Sequence, residues 1–171
     1  SIHLSKATPI MSGSMMAALN EAIPRVAADP AVRCVVLTGA GGAFCSGGDV
    51  KGFASDNAGG GGTIPSLEER VHNLRQGMEL SRWLHEMPKP TLAIIPGAAA
   101  GAGLSLALAC DLRFCLDTAK ITTAFSKIGA SGDYGGSYFL PYLVGAAKAR
   151  ELYFTADVIS GAEAFAMGLV S

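Results

Sequence analysis

Residues 91–110 read TLAIIPGAAAGAGLSLALAC, and this stretch decides the fold. Its first five residues, a threonine and four apolar side chains, predict a buried strand. Pro96-Gly97 then breaks the run. Residues 97–103 turn into an apolar helix of small residues over 104–110. A strand delivered through glycines into a fully apolar helix is an α/β element. The density of glycine and alanine, with Pro96 inside, argues against a membrane span, which needs about 20 predominantly apolar residues.

Outward from this stretch the same alternation continues. Upstream, residues 33–38 (RCVVLT) predict a β-branched buried strand, followed by a glycine-rich loop over 39–53. Residues 54–66 (ASDNAGGGGTIPS) predict a mobile surface loop. Residues 67–87 predict a long amphipathic helix, with Leu67, Val71, Leu74 and Met78 at helical spacing, ended by Pro88-Lys89-Pro90. Nearer the start, Ile2-His3-Leu4 predicts a short strand. Residues 15–28 predict a helix capped by Ser12 or Ser14 and stopped at Asp29-Pro30. Pro24 lies inside that helix and predicts a kink or an early break. Downstream, residues 112–115 and 120–124 predict strands, and 135–143, 146–154 and 161–167 predict helices. Strands alternating with helices make the fold class α/β.

The chain of 171 residues fits one domain. It is 50% hydrophobic and 16% charged with a net charge of −1, so it can bury a core and has no basic field for nucleic acid. No signal peptide is read at the start and no membrane segment is expected. The four cysteines, Cys34, Cys45, Cys110 and Cys115, form no CxxC. They are expected to be buried free thiols of a reducing, cytoplasmic compartment. His3, His72 and His85 lack metal-ligand spacing, and no metal site is expected. Glu68-Glu69-Arg70 reads as a solvated helix start, Trp83 as core or interface, and Asp111 as a structural hydrogen-bonding residue.

Glycine is the unusual component: 22 residues, ten of them between Gly39 and Gly62. They sit at the ends of apolar runs, where sites are built. Gly39-Ala-Gly41-Gly-Ala-Phe44 begins like a dinucleotide fingerprint, but Phe44 replaces its third glycine. No Gly-Lys-Ser/Thr follows for a phosphate loop, and the GxSxG of a nucleophile elbow is missing. An oxyanion hole fits better. It needs two N–H donors on one developing negative oxygen. Gly101-Ala102-Gly103 at a helix start can supply one and Gly47-Gly48 the other. The same glycines can equally serve tight turns and close helix packing alone.

Three collinear segments, GAGGAFCSGGDVKGF, KPTLAIIPGAAAGAGLSLALACDLRF and VGAAKARELYFTADVISGAEAFAMGLVS, resemble the crotonase superfamily, that of enoyl-CoA hydratases and isomerases. The resemblance covers nearly the whole chain. It implies a crotonase fold, a spiral of ββα repeats with surrounding helices. It implies an acyl-CoA thioester substrate with coenzyme A as part of it, no separate cofactor, and a homotrimer or homohexamer. It implies an enolate held by the N–H groups of Gly48 and Ala102. Cys45, Ser46, Gly47, Asp49 and Lys51 would lie along the CoA chain, Lys51 meeting a phosphate or remaining a solvated surface lysine. Gly101 would belong to the same binding surface. The family continues into C-terminal helices, so residues 1–171 are expected to form a crotonase-like acyl-CoA-binding core without that helical part.

The departures from the family direct the choice of activity. Its hydratases carry two glutamates, and Ser105 and Phe125 stand in their places. Neither side chain is a general base at neutral pH. The remaining carboxylate is Asp133, which resembles the catalytic aspartate of isomerase members. It also resembles the nucleophile of dehalogenase members, but Arg82 and Phe125 replace their histidine and tryptophan. Asp133 ahead of a helix also fits an N-cap. The expectation is an acyl-CoA enzyme stabilising a thioester enolate, an isomerase with Asp133 as base. A hydratase with a non-standard base and a catalytically silent CoA-binding protein are the alternatives.

Overall fold

The computed structural model describes residues 2–4, 10–48 and 65–171. Strand β1 (Ile2–Leu4) precedes helix α1 (Gly13–Ala28), strand β2 (Val35–Gly39) and helix α2 (Leu67–Glu86). Strand β3 (Thr91–Ile95), β4 (Ala99–Ala100) and helix α3 (Ala102–Ala109) form one ββα unit. Strands β5 (Leu112–Cys115) and β6 (Lys120–Thr122), a 3₁₀ turn (Phe125–Ile128) and helix α4 (Gly136–Val144) form the next. Helix α5 (Ala146–Thr155), strand β7 (Ile159–Ser160) and helix α6 (Gly161–Ala166) follow. The first strand of each unit joins a parallel sheet of order β1-β2-β3-β5, and the second joins a small sheet of order β4-β6-β7.

Sequence dictates most of these elements directly. Parallel strands covered on both faces need apolar residues on each face, and β3 with its TLAII run occupies the interior of the sheet. Helix α3 is buried at every one of its eight positions, which is why its sequence carries no charge. Asp111 holds the start of β3: its carboxylate accepts from Thr91 N–H at 2.8 Å and Thr91 hydroxyl at 2.9 Å. Helix α2 starts on a complete capping box of Ser66 and Glu69.

Several expectations change. Helix α1 begins at its Ser12 cap and runs through Pro24 to Ala28. Asn20, whose carbonyl loses its partner at Pro24, is exposed, so water can satisfy it. Leu67, Val71 and Leu74 are exposed, and the buried face of α2 is instead Gly77, Leu80, Ser81 and Leu84. The turn after Pro96 contains the short strand β4, and Phe125 starts a 3₁₀ turn just past the strand expected to end at residue 124. Cys45 and Cys110 are buried, Cys115 is partly so, and Cys34 is exposed; all four thiols are free. Residues 54–64 of the expected mobile loop lie outside the described residues.

Candidate active site

The chain leaves β3 through Pro96-Gly97 and lays β4 beside residues 44–45. Phe44 and Cys45 both donate their N–H to the Ala98 carbonyl, at 2.9 and 3.1 Å. Ala100 N–H returns a bond to the Cys45 carbonyl at 2.9 Å. This pairing draws two glycine turns together. A Cβ on Gly47 would sit 3.0 Å from the Ala100 carbonyl oxygen and 3.8 Å from the Ala102 nitrogen. A Cβ on Gly103 would fall 2.5 Å from the Cys45 Cβ. Only glycine lets α3 rest this closely on the neighbouring strand.

Gly101 caps α3 with φ 52° and ψ −129° and provides no side-chain cap. The first-turn N–H groups of a helix lack intrahelical acceptors. Among the described residues, neither Ala102 nor Gly48 donates its N–H to a carbonyl. Cys45, Gly47, Gly48, Gly101 and Ala102 are thus brought to one place. Burial raises the pKa of the Cys45 thiol, so it stays neutral. Ser46 is exposed. Asp49 and Lys51 lie outside the described residues.

Ser105 and Phe125 extend the cluster. Ser105 is buried, and its hydroxyl donates to the Gly101 carbonyl at 3.3 Å. The Phe125 ring stacks on Tyr153 with centroids 6.2 Å apart and planes 5° from parallel. The Tyr153 hydroxyl bonds Ser105, and its pKa is pushed up to about 12 by burial, with the Asp133 charge adding to it. Tyr153 therefore stays neutral near neutral pH.

Asp133 sits in the loop before α4, between Gly132 at φ 100° and Tyr134 at φ 52°. Its Oδ1 is buried and meets no hydrogen-bond partner among the described residues. Burial alone raises its carboxyl pKa above the ordinary range. The N-cap alternative fails, because the cap of α4 is Gly135 and no side chain bonds there. Asp111, by contrast, has the structural role expected of it. Arg82 is engaged with Glu79 and Glu86 on the outer face of α2. Among the described residues, no group of three or more His, Cys, Asp or Glu can hold a metal, and no helix is long and apolar enough to cross a membrane.

Sequence reasoning placed Tyr134 beside Asp133 but did not single out Tyr153. Nothing in the helical spacing of residues 146–154 marks Tyr153 as facing a loop rather than the core. The glycine at 132, which leaves room for its ring, is the one local signal: a Cβ there would lie 2.9 Å from the Tyr153 ring.

A half-buried carboxylate with one unpartnered oxygen, near two glycine turns whose N–H groups meet no carbonyl among the described residues, is equipped to move a proton next to a developing anion. Comparison with known proteins gives the family. The family model for enoyl-CoA hydratase/isomerase matches residues 3–171. The chain belongs to the enoyl-CoA hydratase/isomerase family. It is 36% identical to the 1,2-epoxyphenylacetyl-CoA isomerase of Escherichia coli, over 91% of this chain and 58% of that protein. It is 33% identical to the crotonyl-CoA hydratase of Syntrophomonas wolfei, over 99% of this chain and 62% of that protein. The solved enoyl-CoA hydratase of Polaromonas superposes with a TM-score of 0.86 at 32% identity, covering 98% of this chain and 64% of that one. The fold is the α/β crotonase fold of this family. The chain spans about three fifths of the length of these relatives. Members with isomerase and with hydratase activity match it about equally, so the family alone does not choose between them.

Proposed function

We propose that this chain is the core of an enoyl-CoA isomerase. The observation that carries this reading is the buried, unpartnered Oδ1 of Asp133 in a site where Ser105 and Phe125 supply no other carboxylate. A thioester carbonyl oxygen accepts hydrogen bonds from Gly48 N–H and Ala102 N–H. The N-terminal end of α3 adds favourable potential for the enolate oxygen. Removing one donor of this kind typically costs about 3 kcal/mol of barrier. Asp133, ionised, takes the proton from the α carbon of a β,γ-unsaturated acyl-CoA. It then returns the proton to the γ carbon, which moves the double bond into conjugation. Phe125 and Tyr153 keep water away from the enolate, which disfavours hydration. The CoA portion runs past Cys45, Ser46 and Gly47 toward Asp49 and Lys51.

The test is double-bond migration by the purified protein and its Asp133→Asn variant. Loss of the base is expected to lower the rate by about 10²–10⁴-fold with acyl-CoA affinity retained. Crotonyl-CoA hydration is expected to be slow in both. Fast hydration that ignores the Asp133 change would instead establish a hydratase with another base. Tight acyl-CoA binding without any turnover would establish a silent binding protein.

The same reading carries assembly into a trimer or a dimer of trimers. Leu112 and Phe114 on β5, and Leu116 just after it, are exposed and support a further covering surface. Sedimentation showing a stable monomer at micromolar concentration would contradict it.

A further inference from the structure

We infer that Tyr134 is a positioning residue, anchoring the Asp133 loop in a hole that Gly77 leaves in helix α2. The inference rests on Asp133 being the base.

Tyr134 is one of three non-glycine residues at positive φ among the described residues, and its value is 52°. A bulky side chain rarely adopts this conformation without a compensating contact. The contact is visible. A Cβ on Gly77 would lie 2.6 Å from the Tyr134 hydroxyl oxygen and 3.3 Å from its Cζ. The hydroxyl also reaches the Met16 sulfur of α1 at 4.0 Å. The ring tip therefore wedges between α1 and α2 in space that a side chain at 77 would contest. On the other side of Asp133, Gly132 abuts the Tyr153 and Phe125 rings. Asp133 thus lies between two aromatic contacts made by its neighbours, and among the described residues no hydrogen bond fixes its Oδ1. Aromatic packing on either side stands in for a hydrogen bond to that oxygen. Misplacing a reacting group by about 1 Å can cost about 10²-fold in rate.

The experiment compares Gly77→Ala, Tyr134→Phe, the double variant, Tyr134→Gly and Asp133→Asn. The readouts are kcat, KM and the pH–kcat profile for a β,γ-unsaturated acyl-CoA, with melting curves. Gly77→Ala is expected to lower kcat by up to about 10²-fold with KM little changed. The acid limb of its profile is expected to move to lower pH as Asp133 gains water. Tyr134→Phe removes the clashing oxygen, so the double variant is expected to recover most of the lost kcat. Tyr134→Gly relieves the backbone but removes the wedge. It is expected to lose kcat and shift the acid limb, and it covers the case in which Gly77→Ala does not fold. Wild-type kcat and an unmoved acid limb in Tyr134→Gly would overturn the inference. If Asp133→Asn is inactive in that same series, the base assignment stands and only the anchor falls. If Asp133→Asn keeps its rate, the base assignment falls and the inference with it.

Discussion

Asp133 combines two properties that oppose each other in stability. Its side chain is half-buried with Oδ1 unpartnered among the described residues, and desolvation raises its pKa. A raised carboxyl pKa means the folded state binds the proton more tightly than the unfolded chain does. Stability is then greatest below the unfolded pKa and falls as pH rises through the folded one. At neutral pH the ionised side chain works against the fold. Asp133→Asn is therefore expected to raise the melting temperature at pH 7. The gain is expected to shrink as pH drops through the raised pKa toward the ordinary aspartate range. A calorimetric pH series on both proteins checks this, and an equal gain at every pH would refute it. Gly103 makes the opposite case. A methyl there meets both the Cys45 Cβ and the Cys45 carbonyl oxygen, at 2.5 and 2.6 Å. Overpacking of this sort costs about 1–3 kcal/mol, against the roughly 1 kcal/mol alanine gains over glycine in a helix. Gly103→Ala is expected to lower stability and to lower the rate further, because it parts residues 45–48 from α3.

At the level of elements, the helix signals carried the most information. Ser66 and Glu69 close a reciprocal cap on α2, so Ser66→Ala is expected to cost about 1 kcal/mol in urea unfolding. An unchanged midpoint would show the cap to be idle. A cap and a stop located α1, spacing and a proline stop located α2, and apolar runs located β2, β3 and β5 from sequence; the Ser66 cap was not read there. What they did not reveal is which face a helix buries. Leu67, Val71 and Leu74 have the spacing of a core stripe, yet α2 turns Gly77, Leu80, Ser81 and Leu84 inward. Spacing defines a stripe, and the partner decides which stripe is used. The strand β4 was hidden for a related reason. Two alanines carry no β signal, and their pairing with Cys45 and Ile121 comes from tertiary contact. The candidate site was half legible. Glycines that permit close approach stand out in a sequence, whereas the Tyr153 ring, 20 residues from Asp133 in sequence, is brought to it only by the path of the chain.

Across the whole molecule, Arg113 ties the last residues to the sheet. It is 5% exposed and has no carboxylate partner among the described residues. Its guanidinium donates instead to the carbonyls of Leu169, Cys110 and Asp111. Its own carbonyl accepts from Ser171 N–H at 2.8 Å. Arg113→Met is expected to leave buried carbonyls unpaired, each costing about 1–3 kcal/mol. Faster amide exchange at Ser171, ahead of any change at β3, is the expected signature.

The order of strands in the large sheet also bears on how the chain reaches this structure. Thr38 and Ile94, side by side on β2 and β3, are 56 residues apart in sequence. Thr91 and Asp111, which join β3 to the start of β5, are separated by 20. Closing the larger loop costs more chain entropy before any contact rewards it. The β3-α3-β5 unit is thus expected to form in the folding transition state, with β2 docking afterward. Conservative truncations at Ile95 or Leu106 should slow refolding, while truncation at Val35 should chiefly hasten unfolding.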